Sequence, residues 1–268
     1  MSSINTMKHR KLIITLLALI ICSCDKFEYS HYQISPEYRN INQRNIARFI
    51  NTNSDTIRIV VIGDSQRYYN STNKIINKIN NTNNINFVIH TGDLVEFGLQ
   101  KEYTWMHELL ATINYPYVAV VGNHDLIGNG GEIYNLMYGE FNFSFTYNGN
   151  KFIYLNTNSR EFGFESNVPN ISWLNNELSD SSNYNHAIII NHVPPNDGDF
   201  NTELEDDYVA VLGKYGKVIL SINGHTNSFA FSELYNDGIS YLNSYSTSDE
   251  KFVIVKIWDN DFSVETIE

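Results

Sequence analysis

Five residues of this chain have the types and the spacing to do chemistry together: Asp64, Asp93, Asn123, His192 and His225. Each one closes or just follows an apolar run. The runs are "IRIVVIGDSQ" for Asp64, "INFVIHTGD" for Asp93, "YPYVAVVGNHD" for Asn123, "HAIIINH" for His192 and "KVILSINGH" for His225. A carboxylate past one strand end is ordinary turn chemistry, because Asp and Gly are common where strands turn. Five loaded ends are a site. Hard oxygen donors mixed with imidazoles suit Mn, Fe, Zn or Mg rather than a soft, thiolate-preferring metal. Two carboxylates brought to one place repel each other, and metal cations remove that cost.

The elements that must position these residues can be read from periodicity. Ile57, Ile59, Val60, Val61 and Ile62 describe a strand buried on both faces, as in parallel sheets. Asp64 and Asp93 are 29 positions apart, and Asp93 and Asn123 are 30 apart, the length of one strand–helix–strand unit each time. Helical spacing is expected over 73–79, 102–113 and 208–215, and a further helix opens near Pro169 in "SNVPNISWLNNEL". "TYNGNKFIY" places Asn148-Gly149 between two strand-like runs, a hairpin signal. Residues 56–268 suit a single α/β domain, in which ligands bind beyond the carboxyl ends of the strands.

The chain begins differently. Lys8, Arg10 and Lys11 precede "LIITLLALII", a basic region and an apolar run too short for the roughly twenty residues of a membrane span. This pattern is a secretory signal over residues 1–23. "ICSC" at 21–24 resembles the lipobox of bacterial lipoproteins, which implies cleavage after Ser23, a lipidated Cys24 and a place in the bacterial envelope, periplasmic or surface-exposed. Residues 24–55 form a tether and N-terminal segment, polar and Asn-rich from 29 onward, with one short helix expected around 43–50. Cys22 and Cys24 are the chain's two cysteines, so after cleavage no thiol is left for a disulfide or a Cys-based metal site. Removing the three basic residues of the signal takes the formal net charge from −12 to −15. Such a surface repels nucleic acid, and no basic cluster offsets it. An anionic substrate needs a local cation, which a metal supplies.

"GDSQ", "TGD", "GNHD", "NHVPP" and "GHTN", in this order, resemble the motifs of the calcineurin-like metallophosphoesterases over roughly residues 57–227. The resemblance implies an α/β fold of the four-layer αββα sandwich type with two divalent metal ions at the strand ends. It implies that Asp93 bridges the two metals, that Asp64 binds the first, and that Asn123, His192 and His225 bind the second. It further implies in-line attack on phosphorus by a metal-bridging hydroxide, with His124 as general acid and Asp125 orienting the His124 imidazole. Most members carry His where this chain has Gln66 and Asn227. The Gln66 amide oxygen reaches about as far as an outer imidazole nitrogen, whereas Asn227 is one methylene shorter and binds only if its loop moves closer or through a water. Both changes fall on the first metal, whose site becomes oxygen-rich and tilts towards Mn, Mg or Ca.

The functional expectation is a metal-dependent phosphoesterase acting on a phosphate-ester substrate, with Mn the favoured metal, on a membrane-anchored lipoprotein. The alternative is a degenerate member that binds a phosphorylated or anionic ligand without turnover. Arg67 is read as a surface arginine with a second possibility of touching phosphate, and Tyr68 and Tyr69 as weak pocket candidates. His90, His107 and His186 are read as structural. No phosphate-binding glycine loop or dinucleotide fingerprint is present in the sequence, so ATP or NAD use has no support.

Overall fold

The computed structural model of the chain describes residues 34–49, 56–164, 167–258 and 261–268. The signal segment, Cys24 and the tether up to residue 33 lie outside the described residues. Strand β1 (Thr56–Ile62) shows how the layers arise. Its Val60 and Ile62 join a core shared with helices α2 (Tyr69–Asn80), α3 (Gln100–Leu110) and α4 (Gly130–Tyr138). Its Ile57, Ile59 and Val61 join a second core together with Phe152, Ile188 and Leu220. Alternate residues of a strand face opposite sides, so a strand apolar at nearly every position must be covered twice.

The first sheet runs β11 (Asp261–Ile267), β10 (Phe252–Trp258), β1, β2 (Phe87–His90), β3 (Tyr117–Ala119). The second runs β4 (Phe143–Tyr147), β5 (Asn150–Tyr154), β6 (His186–Ile190), β7 (Val218–Asn223), β9 (Ser240–Asn243), β8 (Ala230–Ser232). Strands β1, β2 and β3 are mutually parallel, as are β5, β6, β7 and β9. A third core lies between the second sheet and helices α5 (Ile171–Ser179) and α6 (Thr202–Gly213), with Ile189, Leu174, Leu178 and Leu212 in it. Three apolar slabs between four layers make the αββα sandwich. The five loaded strand ends are therefore divided, three in the first sheet and two in the second.

Local chemistry explains where the helices start. Helix α2 buries Thr72, Ile75, Ile76 and Ile79, one stripe at helical spacing. Its first turn extends before the expected 73–79 and adds Tyr69, which packs against the same core. Helix α6 begins at Thr202, well before 208, because Asn201 accepts the Glu203 backbone N–H at 3.0 Å as its N-cap. Glu203 and Glu205 then sit in a first turn where the helix dipole favours negative charge. The hairpin is present as expected: Tyr147 pairs with Asn150 across Asn148 and Gly149, both at positive φ. No helix among the described residues is long and apolar enough to cross a membrane.

The helix expected at 43–50 is α1 (Ile41–Ile46), and it seals an edge. Among the described residues strand β3 has no strand beyond it, and exposed strand edges invite unwanted pairing. The Asn42 side chain donates to the Ala119 carbonyl and accepts the Ala119 N–H, both at 2.9 Å, while Asn45 donates to the Tyr117 carbonyl at 2.8 Å. Two amides at helical spacing thus replace a neighbouring strand. An Asn42→Ala variant is expected to lose about 1–3 kcal/mol of stability, the cost of an unsatisfied buried N–H. Chemical denaturation checks this.

His107 is structural, as its helix position implies: Nδ1 lies 2.7 Å from the Tyr117 hydroxyl. Burial, with Arg44 nearby, depresses its pKa from 6.5 to about 4. Below 6.5 the unfolded chain takes a proton that the folded imidazole refuses, so this group removes stability as pH falls towards about 4. Compared with a His107→Gln variant, the wild-type chain is expected to lose up to about 1.4 kcal/mol more per pH unit across that window. Denaturant melts at a series of pH values read the difference.

Candidate metal centre

The backbone brings the five residues to one seam between the sheets. Asp64, Asp93 and His225 all have left-handed backbones, with φ of 51°, 55° and 71°, conformations that non-glycine residues adopt rarely and that cluster at functional sites. Gly92 and Gly122 permit the close approach this requires. A Cβ on Gly92 would meet His192 Nδ1 at 2.7 Å, and one on Gly122 would meet the Asp93 backbone nitrogen at 2.1 Å. The loops are then tied within each sheet and, through His192, across the seam. The Asp64 N–H donates to Gly92 O at 3.0 Å, the Gly224 N–H donates to His192 O at 3.0 Å, and His192 Nδ1 donates to Thr91 O at 2.8 Å.

Asp93 is the hub of the side chains. Its Oδ1 accepts the His124 backbone N–H at 2.9 Å and lies 3.3 Å from His192 Nε2, and its Oδ2 accepts the Gln66 amide at 3.1 Å. Because His192 Nδ1 is committed to Thr91, its Nε2 faces inward, 2.9 Å from Asn123 Oδ1. His225 Nδ1 stands 3.1 Å from the same Asn123 oxygen. The His225 backbone N–H donates to Asp64 Oδ1 at 3.1 Å, while Asp64 Oδ2 is buried with no hydrogen-bond partner. Asp64, Asp93 and His192 each offer a ligand atom within 4.8 Å of the others.

The electrostatics call for positive charge here. Burial pushes the Asp64 carboxyl up to about 7, although His192 pulls the other way. Burial also acts upward on Asp93, but the charge and hydrogen bond of His192 outweigh it and hold that carboxyl at about 2. Burial works against a charged His192, and the Asp93 and Asp64 carboxylates override it, lifting the imidazole to about 10. Counted by protein groups alone, a proton on His192 supplies the charge that the carboxylates demand. A divalent cation held by the same atoms would supply more, and would give the orphaned Asp64 oxygen a partner. The donor set therefore fits a metal centre.

The structure brings Asp64, Gln66, Asp93, Asn123, His192 and His225 together and leaves Asn227 out. Asn227 is exposed, and its amide donates to the His225 carbonyl at 3.3 Å. Gln66 presents its amide nitrogen to Asp93; a half-turn of the amide would present oxygen instead. Asp125 requires a correction. Its carboxylate accepts the Val95 N–H at 3.1 Å and the Gly122 N–H at 2.8 Å, so it braces the Asp93 and Asn123 loops and does not orient His124. The atom 2.9 Å from His124 Nδ1 is the backbone carbonyl of Glu96. Arg67 is 66% exposed and lies 3.6 Å from Glu96, Tyr69 packs against the helix-side core, and His90 is buried 2.7 Å from Ser65 Oγ.

Sequence reasoning missed two contributors. Glu96, three residues after Asp93, has a buried Oε2 without a partner beside the His124 turn. The run Asn156-Thr157-Asn158-Ser159 is buried immediately after β5. There the Thr157 hydroxyl donates to Val193 O at 2.8 Å and Asn158 donates to Val121 O at 3.1 Å, bracing the His192 and Asn123 loops. Its signal was available: "FIYLNTNS" is a sixth apolar run ending in polar residues.

Comparison with known proteins agrees with this geometry. The calcineurin-like phosphoesterase family profile matches residues 57–229. No curated protein matches the chain in sequence. A dimetal phosphatase from Danio rerio superposes with a TM-score of 0.66 at 10% identity, covering 78% of this chain and 95% of that one. GAP50, the anchor in the inner membrane complex of Plasmodium, gives 0.62 at 16% identity over 80% of this chain and 84% of its own. Purple acid phosphatase PPD1 from yellow lupin (Lupinus luteus) seeds gives 0.60 at 16% identity over 82% of this chain and 52% of its own. At these identities the likenesses establish the fold. The family profile spans most of the domain and every strand end that carries a metal-ligand candidate: the chain belongs to the calcineurin-like phosphoesterase family.

Proposed function

We propose that this chain hydrolyses a phosphate ester, monoester or diester, at a centre of two divalent cations, with Mn favoured. The observation that carries this reading is the convergence of Asp64, Asp93, Asn123, His192 and His225 at one seam, with His124 tied by its backbone to the Asp93 carboxylate. Asp93 would bridge the two cations, Asp64 and Gln66 would hold the first, and Asn123, His192 and His225 the second. When bound, the cations would lower the pKa of a water nucleophile and neutralise charge on the phosphoryl oxygens.

The chain's own residues do the rest. The Glu96 carbonyl accepts a hydrogen bond from the Nδ1–H of His124, which leaves the Nε2–H as the one that can pass to the leaving oxygen. Asp125 acts at a distance from the reaction by fixing the two loops that carry Asp93 and Asn123. We further place the enzyme on the bacterial envelope, anchored through a lipidated Cys24, on the strength of the leader sequence.

One observation favours a second reading, in which the site binds a phosphorylated or anionic ligand without turnover. The exposed Asn227 is turned to its own loop, which would leave the first cation with fewer protein donors than the second. The experiment is a metal count on residues 25–268, purified without chelators, incubated with Mn²⁺ and desalted. It is joined to assays with p-nitrophenyl phosphate and bis(p-nitrophenyl) phosphate. Two metals and turnover of either ester support the hydrolase. One metal without turnover supports the binder, and a folded chain holding none sinks both.

A further inference from the structure

His225 touches the centre through Nδ1, 3.1 Å from Asn123 Oδ1, and its other ring nitrogen points away from that contact towards two carboxylates. Nε2 lies 3.5 Å from Asp197 Oδ1 and 3.4 Å from Asp199 Oδ2. Neither carboxylate belongs to the ligand set that the motifs imply. We propose that Asp197 and Asp199 are positioning residues of the second metal site: they hold the Nε2 proton of His225, and so fix the tautomer in which Nδ1 can bind a cation. This rests on the metal-centre reading above.

The chemistry is forced by the ring. A neutral imidazole carries one proton, on either Nδ1 or Nε2, and a metal is bound by the nitrogen without it. With Nδ1 turned to the centre, the ligating tautomer is the one protonated at Nε2. That proton needs an acceptor, and a carboxylate acceptor also makes the ligating nitrogen a stronger donor. Two carboxylates share the task, at distances of ion-pair contacts rather than one short hydrogen bond.

The pair is held in place before any metal arrives. Asp197 Oδ1 accepts the Asp199 N–H at 2.9 Å, and the Asp197 N–H donates to Pro194 O at 3.1 Å. Arg160 holds Asp199 from the other side, with Nη1 donating to Oδ1 at 2.8 Å, while its backbone N–H donates to Asp199 O at 3.2 Å. Phe200, which follows directly, is fully buried against Tyr208. His192 shows the same logic with a different acceptor: its outer nitrogen is held by the Thr91 carbonyl. Each imidazole of the second site therefore has a fixed acceptor behind it, a backbone oxygen for one and a carboxylate pair for the other.

The test is a Co²⁺ titration of the protein and of an Asp197→Ala/Asp199→Ala double variant, read by the visible absorption of the bound ion and by competition with a chelator. The control is Lys251→Gln, which removes the surface ion pair with Glu268 and touches neither aspartate nor His225. Thermal melts confirm that all three proteins are folded. The expected result is that one of two Co²⁺ ions binds about 10- to 100-fold more weakly in the double variant, while the control holds both. In Zn²⁺-loaded wild-type protein, ¹⁵N NMR is expected to place the His225 proton on Nε2. Wild-type affinity in the folded double variant overturns the proposal, and so does a His225 proton on Nδ1. So does the loss of a third Co²⁺ ion with the other two intact, which would make the carboxylates ligands themselves. These outcomes leave the metal centre standing. A wild-type protein that binds no Co²⁺ overturns the proposal and the metal-centre reading together.

Discussion

Asp93→Asn is expected to abolish hydrolysis and to strip the protein of tightly bound metal. Both oxygens of this carboxylate are engaged, one facing His192 and the His124 backbone, the other facing Gln66. An amide in its place keeps one oxygen but turns an N–H donor towards either the His192 ring or the Gln66 amide nitrogen. It also removes the charge that outweighs burial in holding a proton on His192. No other group named for the centre would be shared between the two proposed cations, so one substitution is expected to weaken both. Losing that electrostatic support costs several kcal/mol in the transition state, about a thousandfold or more in rate. The checks are kcat/KM on a p-nitrophenyl ester and metal content per chain, with near-ultraviolet circular dichroism to show that the fold is kept. Activity within tenfold of wild type would refute the bridging role.

His124→Gln is expected to cost about 10²- to 10⁴-fold in kcat, the usual worth of a positioned general acid, with little change in metal content. The contact with Asp93, a proposed ligand, is made by the His124 backbone N–H, which the substitution preserves, while the side chain is held by Glu96 O. The informative comparison is between leaving groups. A p-nitrophenolate leaves without help, whereas an alkyl alkoxide needs a proton. The loss should therefore be much larger for an alkyl ester than for a nitrophenyl ester. An equal loss for both would mean that His124 serves structure or binding rather than proton transfer.

Much of the fold was legible because burial on both faces leaves a plain trace. The runs ending at Asp64, Asp93, Asn123, His192 and His225 are β1, β2, β3, β6 and β7, each apolar enough to need cover above and below. The hairpin at Asn148-Gly149 was equally plain, since a two-residue turn at positive φ needs those residue types. Helix starts were not, because the first turns of α2 and α6 each offer one large side chain, Tyr69 or Leu204, among polar residues, too little to show a period, and a cap such as Asn201 becomes visible once its partner N–H is known. Strands β8 and β11 leave no such trace: β8 is exposed, and β11 alternates between exposed and half-buried residues, so neither carries a continuous apolar run, whereas β10 carries one that ends in no candidate ligand.

For the site, residue types and order in the chain were enough to choose the metal-ligand candidates, because hard oxygens and imidazoles at strand ends have few other uses. Direction was the part withheld. Tertiary structure alone decided that Asn227 turns outward, that Asp125 braces backbone while Glu96 O holds His124, and that Asp197 and Asp199 stand behind His225. The physical reason is that a strand's apolar periodicity is set by burial and is written residue by residue along the chain. A hydrogen bond between loops 101 to 161 residues apart, such as His192 to Thr91 or His225 to Asp64, exists once two sheets have closed against each other and their loops share one seam.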